Sequence, residues 1–101
     1  LKARLIATGQ RDARVEGPLD FDTVGPLLAA GEALLRRPGA LRIDLGGVSA
    51  ANSAGLALLL EWMDIARSRR ITLSYLHLPE SLRRIAAFSN LEALLPVEEV
   101  R

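Results

Sequence analysis

Residues 41–75 read LRIDLGGVSAANSAGLALLLEWMDIARSRRITLSY. Within them Leu41-Arg42-Ile43-Asp44-Leu45 alternates apolar and charged side chains, the period-two pattern of a strand with one buried face. Gly46 to Asn52 reads as a loop, and a helix is expected from Ser53 or Ala54 to about Arg67. Along that helix Leu56, Leu59, Leu60, Met63 and Ala66 line one face, and Ala54, Leu58, Trp62 and Ile65 line another. A helix apolar on two faces needs a burial surface besides its own sheet. Ile71 to Tyr75 then reads as a further strand. Strand, long helix and strand make a crossover unit, so the fold class is α/β.

Working upstream, residues 3–8 and Ala13 to Glu16 read as two strands joined by a turn at Gly9-Gln10-Arg11-Asp12, with Gly17-Pro18 stopping the second. Asp22 or Thr23 caps a first helix that tolerates Pro26 in its opening turn. Val24, Leu27, Leu28, Gly31, Leu34 and Leu35 recur along it at helical spacing, and Pro38-Gly39 ends it. Downstream, Pro79 opens a third helix with Leu82, Ile85, Ala86 and Ser89 inward. Asn90 breaks it, and Leu91 to Leu95 make a short turn or helix before a polar tail. The order β-β-α-β-α-β-α predicts a small mixed four-stranded sheet, opened by a hairpin, with crossover helices packed against it. One domain over residues 1–101 is expected.

Composition narrows the function. Of 101 residues, 50% are hydrophobic and 25% charged, which excludes a disordered chain. Cysteine is absent, so a disulfide scaffold, a thiol nucleophile and a cysteine zinc site are all excluded. No run of 18 apolar residues exists to span a bilayer, and no signal stretch opens the sequence. A cytoplasmic location is expected. Thirteen basic residues against twelve acidic leave a formal charge of +1, too balanced to suggest nucleic acid or an anionic membrane, and no direct membrane insertion is expected. All the basic residues but Lys2 are arginine, and the short clusters Arg36-Arg37, Arg67-Ser68-Arg69-Arg70 and Arg83-Arg84 read as solvated surface or an acidic-partner contact.

Chemistry concentrates at Val48 to Leu56, where a strand gives way to the most apolar helix. Asn52 or Ser53 is placed to cap that helix, and Gly55 to permit close approach by a neighbour or partner. A phosphate on Ser53 would be favoured by the helix dipole. The segment lacks the GxxxxGK[ST] pattern of a nucleotide loop and the GxSxG context of a hydrolase serine. His77, before Leu78-Pro79, reads as structural or solvent-facing. Asp20 and Asp22, which bracket Phe21, read as caps or as an acidic patch, and Asp44 is expected to emerge near its strand end and organise the loop. Trp62 is divided between core and partner anchor, tryptophan being enriched in interface hot spots. No pair is spaced for acid–base work, so no enzyme, cofactor or metal site is expected.

The element order, Gly17-Pro18-Leu19-Asp20 before the first helix, Leu41 to Leu45 followed by Val48, and Asn52-Ser53-Ala54-Gly55-Leu56 entering a helix resemble a STAS domain over essentially the whole chain. In the anti-sigma-factor antagonists of that family the last segment usually reads Asp-Ser-x-Gly-Leu. Ser53 takes the place of the serine phosphorylated by the partner kinase, Gly55 that of the glycine, and Asn52 replaces the aspartate. Ser53 to Leu60 and Asp64-Ile65-Ala66 look most like MlaB, the cytoplasmic STAS subunit of the Mla phospholipid ABC transport system. That resemblance implies a non-catalytic subunit binding an MlaF-like ATPase and lying peripheral to the inner membrane through it. Its contact would use Asn52, Ser53, Ala54, Gly55, Leu56 and Trp62. The alternative is an anti-sigma-factor antagonist that switches partners through phosphorylation of Ser53.

Overall fold

Alternation decides which side of each strand is buried. The computed structural model describes residues 2–99; residues 1, 100 and 101 of the domain expected over 1–101 lie outside the described part. In β3 (Ala40–Ala51) Leu41, Ile43 and Leu45 are buried while Arg42 is exposed. Ala13 and Val15 of β2 (Asp12–Leu19) and Leu73 and Tyr75 of β4 (Thr72–Leu76) are buried in the same alternation. With β1 (Arg4–Gly9) and β5 (Val97–Glu98) they form one sheet in the order β1-β2-β3-β4-β5. The β1–β2 pair is antiparallel, and the three other pairs are parallel.

Strand order therefore follows chain order, and right-handed crossovers in one direction put every helix on the same face. α1 (Val24–Leu34) joins β2 to β3, and α2 (Ser53–Ser68) joins β3 to β4. α3 (Glu80–Phe88) and a 3₁₀ turn (Glu92–Leu94) lead to β5. The opposite face is bare and carries ion pairs across the strands. Arg4 meets Glu16 at 2.9 Å, Arg14 meets Asp44 at 2.9 Å and Arg42 meets Asp12 at 3.0 Å.

Three expectations are corrected. β2 does not stop at Gly17-Pro18: the ladder slips its register there and continues to Leu19, paired with Ala51. The loop expected from Gly46 to Asn52 is strand as far as Ala51, because the far half of β2 gives its backbone a parallel partner. The sheet has five strands, since Val97 and Glu98 of the polar tail pair with Tyr75 and Leu76.

The second apolar face of α2 is covered from within the chain. Trp62 is 0% exposed and its indole N–H donates to the Leu28 carbonyl at 3.3 Å. Gly31 of α1 faces it, and a Cβ there would collide with the indole ring. Tyr75 is equally buried beneath α2, with its hydroxyl donating to the Leu59 carbonyl at 2.6 Å. Burial pushes that phenol's pKa far up, so it stays a donor. Trp62 as a partner anchor is accordingly corrected: α1 occupies the surface a partner would need. Among the described residues no helix is long and apolar enough to cross a membrane.

Candidate partner-binding site

The first turn of α2 needs acceptors for its free N–H groups. Asn52, extended at φ −120°, supplies one: its side-chain oxygen accepts from the Ala54 N–H at 2.9 Å. Its own N–H donates to the Leu19 carbonyl at 3.1 Å, fixing the helix start to the end of β2. Ser53 follows as the first helical residue and is exposed. No acidic side chain lies in that first turn to neutralise the positive end of the helix.

The rest of the expected contact segment faces inward. Ala54, Gly55 and Leu56 are buried. A Cβ on Gly55 would stand 3.1 Å from Leu19 Cβ and 3.2 Å from Leu82 Cδ2, so the glycine admits β2 and α3 rather than a partner. Of the six expected contact residues, the structure exposes Asn52 and Ser53 and places Ala54, Gly55, Leu56 and Trp62 in the interior.

Beside Ser53 lies a feature that sequence reasoning missed. The turn before α1 is tied by its own side chains: the Asp20 carboxylate accepts from the N–H groups of Asp22 at 2.9 Å and Thr23 at 3.1 Å. The Thr23 hydroxyl accepts from the Asp20 N–H at 2.9 Å and donates to the Pro18 carbonyl at 2.9 Å. Asp20, not Asp22, thus caps this turn, while Thr23 is the helix boundary. Phe21 is held at the tip, 75% exposed. With Val24 and Leu28 of α1 and Ala54, Ala57 and Leu58 of α2 it lines an apolar groove of about 250 Å³, with Glu61 at its rim. The only sequence signal was an aromatic side chain between two aspartates.

Asp44 does not reach the strand end, because β3 runs on to Ala51; it organises the bare face instead. It accepts from the Gly46 N–H at 2.7 Å, pairs with Arg14 and meets His77 Nδ1 at 2.9 Å. Partial burial opposes its charge, but the His77 and Gly46 hydrogen bonds and the His77 and Arg14 charges outweigh it and hold the carboxyl below its usual range. His77 is half-exposed at φ +56°, a structural residue on the loop between β4 and α3.

A family model described as "Mlab, STAS domain" matches residues 7–96. The chain belongs to the STAS domain family. The α/β architecture agrees, and STAS domains of the anti-sigma-factor-antagonist kind are non-catalytic regulatory domains. Among solved structures, the chain is similar to the anti-sigma factor antagonist SpoIIAA in its unphosphorylated form (TM-score 0.74, 16% identity, covering 98% of this chain and 88% of that one). It is similar to an anti-sigma-factor antagonist STAS domain protein from Planctomyces limnophilus (TM-score 0.72, 14% identity, covering 100% and 92%). A third is the Bacillus cell fate determinant SpoIIAA in the phosphorylated form (TM-score 0.72, 16% identity, covering 98% and 91%). No curated protein matches the chain.

These structures overturn the finer resemblance to an MlaB subunit of a phospholipid transporter and, with it, the MlaF-like ATPase partner. The family description carries the MlaB name, but the match establishes the STAS domain and no partner. There is a physical reason the run from Ser53 to Leu60 misled as to the subfamily. Gly55, Leu56, Leu58 and Leu59 are core residues, so their pattern records how α2 packs on its sheet and not what docks outside.

Proposed function

We propose that this chain, as one STAS domain over residues 1–101, is a partner-binding regulatory protein that acts as an anti-sigma-factor antagonist, with Ser53 as its switch. The observation that carries this reading is the exposure of Ser53 at the start of α2, next to the apolar groove under Phe21. The partner would contact Asn52, Ser53 and the groove, to whose lining Ala54 contributes, while Gly55 and Leu56 shape the surface from beneath. Trp62 keeps α1 and α2 in place. A phosphate on Ser53 would carry close to two negative charges and be favoured by the bare positive end of α2. The same charge would raise the cost of closing an apolar interface around it, which releases the partner. A kinase-type anti-sigma factor and a phosphatase are the partners this cycle needs. The cytoplasm is the location they imply, and any attachment at the inner membrane would be made through a partner.

The test is incubation with each anti-sigma kinase of the source organism and ATP, followed by intact-mass measurement. One phosphate is expected on the wild type and none on Ser53→Ala. Phosphorylated protein should bind the kinase at least about tenfold more weakly than unmodified protein. No phosphate with any of those kinases would overturn the switch.

A further inference from the structure

The parallel strands bring three adjacent connections to the end of the sheet away from Ser53: residues 10–11, 35–39 and 69–71. They hold Arg11, Arg36, Arg37, Arg69 and Arg70 and no acidic residue, and all five arginines are exposed. Backbone hydrogen bonds tie the connections together. The Arg42 N–H donates to the Arg11 carbonyl at 2.9 Å and the Thr72 N–H to the Gly39 carbonyl at 3.0 Å. The Arg11 guanidinium lies over Gly39, so close that a Cβ there would stand 3.5 Å from its Cζ. With Arg37 it lines a cleft of about 250 Å³.

The nearby carboxylates are already engaged. Asp12, at the cleft, is held by Arg42 at 3.0 Å; Glu32 takes Arg69 at 3.3 Å; Asp64 takes Arg67 at 2.9 Å. Arg11, Arg36, Arg37 and Arg70 make no ion pair among the described residues. At the other end of the sheet the connections 20–23, 52 and 77–79 carry Asp20 and Asp22 and neither lysine nor arginine. The three connections at one end are therefore basic and those at the other acidic, while Lys2 stands against Gly17 ahead of β1 at the Ser53 end. Helix C-termini favour nearby cations, but Arg11 lies on the β1–β2 turn and at no helix end, so that preference does not account for it.

We infer that this basic end is a second docking surface, and that it takes an Asp/Glu-rich segment of a partner protein. A guanidinium fork meets a carboxylate through two parallel hydrogen bonds, which suits arginine more than lysine. The two large apolar residues in these connections, Leu35 and Ile71, are buried, so nothing here enters a bilayer. No aromatic side chain stands in them to stack on a base. The surface does not depend on the Ser53 reading, and either can fail without the other.

The probe is a fluorescein-labelled deca-glutamate peptide, followed by anisotropy with the whole chain at ~50 mM salt, where surface charges are weakly screened. The peptide should bind, and added salt should weaken it. The variant Arg11→Gln/Arg36→Gln/Arg37→Gln should lose at least about tenfold in affinity. A charge-matched control, Lys2→Gln/Arg4→Gln/Arg84→Gln, should lose less than about twofold. Circular dichroism checks both folds, and the single Arg37→Gln variant, expected to lose about threefold, serves if the triple variant unfolds. No binding, or equal losses in variant and control, would overturn the inference. So would tighter binding to phosphatidylglycerol vesicles or single-stranded RNA than to the peptide.

Discussion

Asn52 and Ser53 divide the work at the start of α2. Asn52 turns its side-chain oxygen to the Ala54 N–H, leaving the Ser53 hydroxyl free at the surface. Asn52→Ala should lower stability by ~1 kcal/mol, the usual cost of a lost cap, and Asn52→Asp should restore it. Chemical denaturation measures both. On the bare face, Asp44 makes an acid-side prediction. Its carboxyl is held below the ordinary range, so its contribution is present above the unfolded-state pKa and is lost as pH falls through the folded one. Glu16, lowered chiefly by the Arg4 hydrogen bond, acts in the same sense. Melting temperatures taken from pH 7 down to pH 3 should fall at the acid end for the wild type, and less steeply for Asp44→Asn.

Among the elements, the α1–α2 contact turns on one small and one large residue. Gly31→Ala would drive a methyl group into the Trp62 ring and should cost about 1–3 kcal/mol, as overpacking does. Trp62→Ala should cost about 3–5 kcal/mol by leaving a cavity. Its effect on partner affinity should follow only from that loss of stability. The two variants together locate the residue in the core rather than at the interface. The strong strand Leu41 to Leu45 and the whole of α2 were legible in sequence because their periodicity is long and their apolar residues are unbroken. The second half of β3 was not: Gly46, Gly47 and Ser49 carry no strand preference, and only the partner backbone of β2 makes that stretch extended. β5 was missed for the same reason, its two residues being held by β4 and not by their own pattern. At the site, Ser53 and its cap could be read from local spacing. The Phe21 groove could not, because it joins residues about thirty positions apart that meet only when α1 settles on α2.

On the scale of the molecule, the helices lie on one side of the sheet and the charged ladder on the other. Its pairs are exposed or only partly buried, so they hold the face polar more than they hold the fold together. Raising salt to ~1 M should change the unfolding free energy by less than about 1 kcal/mol, while sharply weakening peptide capture at the basic end. Denaturation and anisotropy in the same buffers would read the two effects separately. Placing every strand beside its immediate predecessor has one more consequence, for synthesis. As the chain leaves the ribosome, each new strand finds its neighbour already made and waiting, with no gap to be filled later from downstream. The domain can be assembled in the order it is translated, beginning with the hairpin and closing with the two residues of β5.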